Sequence, residues 1–172
     1  MSEPRRRRAD VILEPSYVEG LGDKTIEDVR AMHEECMEVE TEVSYVRRLA
    51  QGRMDIVQAE LDRRAAGGTI GDLVAALPQI LADDGPRADP VTSRLPRHLA
   101  PAPAIEWKRG LEYLITDATL VNLPTLSEDE LRGTIEQLRE LEVETSARRR
   151  SLHRVIDKIE TELTARHAVG RS

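Results

Sequence analysis

The chain has 172 residues, 40% hydrophobic and 33% charged, with no Phe and one Trp, which suits long helices burying narrow stripes better than a broad globular core. A net charge of −7 argues against nucleic acid as the main partner, because phosphate binding needs a basic surface, so no direct DNA binding is expected. The lone Cys36 excludes an intramolecular disulfide, no apolar run approaches the ~20 residues of a membrane span, and MSEPRRRRAD lacks a secretory apolar segment, so a cytoplasmic, reducing setting without membrane or metal is expected.

Residues 1–24 hold Arg5 to Arg8, Pro4, Pro15 and two glycines. They read as a largely disordered N-terminal tail with a solvated Arg run. A single helical domain is expected over 25–166, followed by a tail at 167–172. Its first long helix spans 25–65. Thr25 can cap it, with Asp28 three positions on as a variant capping box. Apolar residues recur at Val29, Met32, Cys36, Val39, Val43, Val46, Ala50, Val57 and Leu61. This is a heptad seam, broken at Arg53. Cys36 belongs to it and is expected to be a small buried apolar residue. Ala66-Gly67-Gly68 ends the helix.

The connecting segment, 66–126, carries short helices. Residues 69–83 (TIGDLVAALPQILAD) read as one, capped by Thr69 with Asp72 and kinked or split by Pro78. Residues 84–103 contain five prolines and read as a linker. Ile105 to Thr116 reads as a short amphipathic helix carrying Trp107. Leu73, Leu77, Ile80 and Trp107 are candidate partner contacts. The second long helix spans 127–166. Ser127 and Glu130 make a capping box, and Leu126 can act as a hydrophobic staple. Its seam runs through Leu131, Thr134, Leu138, Leu141, Thr145, Arg148, Leu152, Val155, Ile159 and Leu163. The fold class is therefore all-α, with the two seams paired in a long coiled-coil hairpin. Periodicity alone does not choose parallel or antiparallel.

The two long helices are also copies of one another. At an offset of 102, nine of the 25 positions of Glu40–Arg64 are identical in Glu142–Arg166. Upstream, Thr25/Ser127, Arg30/Arg132, Glu34/Glu136 and Glu38/Glu140 also correspond. The apolar seam drifts between copies, while a polar set is kept: Glu40, Ser44, Arg47, Asp55 against Glu142, Ser146, Arg149, Asp157. Gln51 or His153 fills the last interval. At roughly 100° per residue these five positions share an arc of about 80° on one helix face. In heptad terms they flank the seam and drift outward, so an exposed stripe is expected. Carboxylates accept paired N–H donors, as on a guanine edge. A guanidinium forks onto guanine or phosphate and stacks on a base.

The pattern Glu-x3-Ser-x2-Arg-x3-Gln-x3-Asp, present as Glu40, Ser44, Arg47, Gln51 and Asp55, resembles the signature of the RsiG family, anti-sigma factors that bind cyclic di-GMP. The second copy, Glu142, Ser146, Arg149, His153 and Asp157, fits at four of five positions. The resemblance covers both long helices. It implies an antiparallel coiled coil, a bound dimer of cyclic di-GMP held by these ten residues, and a loaded protein that sequesters a WhiG-type sporulation sigma factor from RNA polymerase. The departure is His153, whose imidazole cannot reproduce the amide's paired donor and acceptor. A different class remains as the alternative: a ligand-free structural or scaffold coiled coil with a solvated stripe. No glycine-rich phosphate loop or nucleophile–base pairing is visible, so an enzyme is not expected.

Overall fold

The computed structural model describes residues 8–81 and 122–169. They form four α-helices: α1 (Arg8–Ile12), α2 (Ile26–Ala65), α3 (Ile70–Ile80) and α4 (Glu128–Val169). Single 3-10 turns lie at Pro15–Val18, Leu21–Asp23 and Leu123–Thr125. No strand occurs among the described residues. Trp107 and the proline-rich 84–103 stretch lie outside them.

The expected boundaries of the long helices follow from local chemistry. Asp28 N–H donates to Thr25 Oγ1 (3.1 Å), and Thr25 N–H reaches back toward Asp28 Oδ2 at 3.4 Å. The Ser127–Glu130 box is tighter, with Ser127 N–H donating to Glu130 Oε2 at 2.7 Å. At the other end of α2, Gly67 takes a φ of 67°. Gly68 N–H donates to Arg63 O at 2.9 Å and Gly67 N–H to Arg64 O at 3.1 Å. These two bonds make a Schellman termination, which needs a left-handed residue at that position. α4 runs to Val169, so residues 167–169 are helical and not tail. No breaker stands before Gly170, and Arg166 and His167 suit a helix C-terminus.

The chain divides into two compact units, each assembled from both halves of the sequence. The first takes its described residues from 8–44 and 146–169. Its core joins Ile12, Val29, Cys36, Val39 and Val43 to Leu152, Ile156 and Ile159. Partners descend along α4 as they ascend along the first part of the chain. Arg166 donates to Leu21 O (2.6 Å) and Lys24 O (2.8 Å). His33 faces Glu160 at 3.1 Å, and Glu40 meets His153 and Arg149.

Residues 8–24 therefore correct the expectation of a disordered tail. Ile12 is fully buried, and Ala9, Leu13, Tyr17, Val18 and Leu21 pack against the same core. Tyr17 Oη donates to Glu35 Oε2 at 3.0 Å, and Cys36 Sγ lies 3.9 Å from that hydroxyl. Burial raises both the Tyr17 hydroxyl and the Cys36 thiol above their ordinary pKa values. Arg8, from the basic run, pairs with Glu38 at 2.7 Å. Enough apolar side chains leave water here to offset the entropy of ordering the segment.

The second unit takes its described residues from 45–81 and 122–145. One cluster holds Val46, Ala50, Leu138 and Leu141. Another holds Ile56, Val57, Leu123, Leu131 and Ile135, with Leu61, Leu77, Ile80 and Leu126 packed on it. Leu126 with Leu131 is the expected staple. Arg53, the apparent break in the first seam, is 8% exposed, so its aliphatic stem continues the seam. In the second seam Ile156 is fully buried and Val155 only half-buried. Thr145 is buried without cost, because its hydroxyl donates to Leu141 O at 2.8 Å. Pro78 sits in the last turn of α3 without splitting it, at the cost of the one i→i−4 bond that its missing N–H would have made.

Candidate functional site

The conserved-between-copies polar set does not form two stripes that each keep to their own helix. Seven of the ten residues form two clusters, one in each unit, and each cluster mixes the two copies. In the first unit, Glu40 of α2 accepts at Oε1 from Ser44 Oγ (2.8 Å) and from Arg149 Nε of α4 (2.9 Å). His153 Nε2 lies 3.1 Å from the same oxygen. In the second unit, Glu142 Oε1 of α4 accepts from Gln51 Nε2 of α2 at 3.2 Å, with Arg47 Nη1 at 3.5 Å. The glutamate of each copy thus meets the arginine and the fourth-position residue of the other copy.

This geometry corrects the expectation of an exposed stripe. The Glu40 side chain is 15% exposed, Glu142 20% and Arg47 27%. Their heptad positions flank the seam, so a long side chain there can lie across the partner helix instead of into water. Ser44, Ser146, Gln51, Arg149 and His153 are half-buried; only Asp55 and Asp157 are exposed. Burial pushes the Glu40 carboxyl up, but hydrogen bonds from Ser44, Arg149 and His153 outweigh it and hold the group below its ordinary value. Partial desolvation raises Asp55. The Nε of Arg47 is buried with no hydrogen-bond partner among the described residues, a donor that folding alone does not satisfy.

The candidate partner contacts fare differently. Leu77 and Ile80 pack against the core of the second unit, and Leu73 is half-buried. Within 70–81 the large apolar groups that face water are Ile70, Val74 and Leu81, at 43, 58 and 53% exposure. A groove of about 410 Å³ in the second unit runs beside Leu61, Ala65, Arg132 and Ile135 and includes none of the ten motif residues.

A second device kept by the repeat lies outside the five-residue motif. Glu60 is fully buried and is gripped by Arg63 through two bonds and by Arg64 through one, each 2.7 Å. Arg64 then donates to Leu126 O (2.7 Å) and Leu123 O (2.9 Å). The counterparts at the 102 offset are Glu162, Arg166, Lys24 and Leu21, joined in the same way within the first unit. The identical pairs Glu60/Glu162 and Arg64/Arg166 were the signal.

Among the described residues no group of three His, Cys, Asp or Glu is placed to hold a metal. No described helix is long and apolar enough to cross a membrane. No curated protein matches the chain. One family profile, described as RsiG-like, matches residues 15–81 and 117–172, more than half of the chain. That match takes in all ten motif residues and both end contacts of Arg64 and Arg166, and the chain belongs to the RsiG-like family.

Proposed function

We propose that the protein is an anti-sigma factor whose two polar clusters bind cyclic di-GMP, and that the loaded form holds a WhiG-type sigma factor away from RNA polymerase. In this reading α2 and α4 pair as an antiparallel coiled-coil hairpin. Family membership supports the anti-sigma role. The observation that carries the nucleotide is the crossed pairing of the copies, Glu40 with Arg149 and His153, Glu142 with Arg47 and Gln51. It gathers guanidinium, carboxylate and amide or imidazole groups from both copies, the donor and acceptor types a guanine edge and a phosphodiester require. The exposed Asp55 and Asp157 add acceptors for guanine N–H groups. Nucleotide seated there presents base and phosphate surface to the sigma factor, so the two binding events strengthen one another by the same factor.

The test is calorimetric titration of cyclic di-GMP into the full chain and into Arg47→Ala/Arg149→Ala, with helicity checked by circular dichroism. Binding that the double substitution abolishes, followed by nucleotide-dependent capture of the sigma factor, is the expected result. The scaffold reading has one observation in its favour: the motif glutamates already find partners inside the protein. It requires instead that a helical wild-type protein ignore the nucleotide, with or without sigma, while the double substitution lowers the melting temperature.

A further inference from the structure

The motif residues alone do not balance the charge of an anionic ligand. The motif residues of the first unit carry two carboxylates, Glu40 and Asp157, and one guanidinium, Arg149; those of the second unit carry Glu142 and Asp55 with Arg47. Each guanidinium is, moreover, already paired with a glutamate from the other copy. Cyclic di-GMP brings two phosphodiester groups, each anionic, to a chain whose net charge is −7. Like charges in a half-buried site repel, and the repulsion is poorly screened there. Cations outside the motif must therefore supply the balance.

The repeat keeps one such cation in each copy. Arg48 and Arg150 are identical at the 102 offset, although the residues on either side of the Arg-Arg pair, Val46/Arg148 and Leu49/Ser151, are not. Their register places them beside the motif. Arg48 precedes Asp55 by seven residues, two helical turns, and at roughly 100° per residue it lies about 20° beyond the edge of the polar arc. Arg150 stands in the same relation to Asp157. Each also follows the motif serine, Ser44 or Ser146, by four residues, one turn along the same face. Neither belongs to an apolar seam: Arg150 is exposed and Arg48 half-buried. In the first unit Arg148 faces Asp10 at 3.4 Å, and Arg154 turns back to Arg150 O and Ser151 Oγ.

We propose that Arg48 and Arg150 are additional ligand-binding residues that hold the phosphodiester groups, while the motif residues read the guanine bases. This rests on the nucleotide reading above. It assigns the phosphates to side chains outside the five-residue signature.

The experiment titrates cyclic di-GMP into the full chain, Arg48→Gln/Arg150→Gln, Arg48→Lys/Arg150→Lys and, as a control for net charge, Arg132→Gln. Arg132 pairs with Glu128 at an exposed site, ten residues or about 15 Å along the helix before Glu142, the first motif residue of that copy. Each titration is run at low and high salt. The glutamine pair is expected to lose about tenfold in affinity per arginine and to show a shallower dependence of affinity on salt. The lysine pair, which keeps the point charge, should retain most of the affinity, and the control should match wild type. Single Arg150→Gln, at an exposed position, repeats the test without risk to folding. Wild-type affinity and salt dependence in the glutamine pair would overturn the assignment while leaving the nucleotide site intact. Absence of binding by the wild type would instead remove the nucleotide reading beneath it.

Discussion

Glu60→Gln tests whether the buried carboxylate near the end of α2 is a structural clamp. Glutamine keeps the shape, so the change removes charge and leaves a neutral amide facing two guanidinium groups. Glu60 has no exposed surface and takes three 2.7 Å contacts, two of them a fork from Arg63. Removing one partner of a buried pair costs ~3–5 kcal/mol. The Arg63 and Arg64 side chains remain 17 and 19% exposed, so water recovers part of their solvation and the lower end applies, about 3 kcal/mol. For a chain of this length that corresponds to a drop of roughly 6–12 °C in melting temperature. The pH dependence has a definite sign. Hydrogen bonds from Arg63, with Arg64 behind them, hold the Glu60 carboxyl at about 2 against an ordinary 4.5. Its contribution is thus complete above pH 4.5 and is lost as pH falls toward 2. Thermal melts followed by circular dichroism should show the full difference from wild type at pH 7 and a shrinking one below pH 4.5. Its counterpart Glu162 has one arginine partner and a side chain 28% exposed, so Glu162→Gln should cost less than about 1 kcal/mol. A Glu60→Gln protein melting within a degree of wild type at pH 7, or a gap unchanged at pH 3, would refute the clamp.

Two more outcomes follow from the fold. Ile12→Ala empties a fully buried site in the first unit and should destabilise the protein by ~2–4 kcal/mol; chemical denaturation that leaves the midpoint unmoved would mean that residues 8–24 do not dock. Gly67→Ala places a Cβ on a residue at φ 67°, where no atom crowds it, so backbone strain alone should cost about 1 kcal/mol in the same assay.

Much of this was written in local pattern. Three capping boxes, the Gly67 stop and both apolar seams are short-range signals, and each one depends on residues within a turn or two of each other. The docking of 8–24 is hard to read from sequence because its apolar residues are interrupted by charges, Pro15 and two glycines and show no sustained period. Yet the repeat extends there as well: Leu21 and Leu123 correspond, and both begin a 3-10 turn before a long helix. The crossed clusters were out of reach for another reason. Spacing along one helix shows which residues share a face, but not which residue of another helix comes opposite. That depends on direction and register, which the periodicity of Val29 to Leu61 leaves open. Arg53 misled in the simplest way, since a charged head conceals a stem long enough to fill a seam position.

The crossed pairing also has a bearing on how such a molecule can be put together. A glutamate at one end of the motif and an arginine seven residues on are the two halves of a single contact, and every copy carries both. A helix bearing one motif is therefore self-complementary. Two identical helices laid against each other could make the Glu–Arg contact twice, as a two-fold dimer repeats each of its contacts. In this chain the two helices are tethered, and the tether frees each copy to diverge on its own. Exchange of Gln51 for His153 at equivalent positions is a difference that an obligate pair of identical subunits could never display.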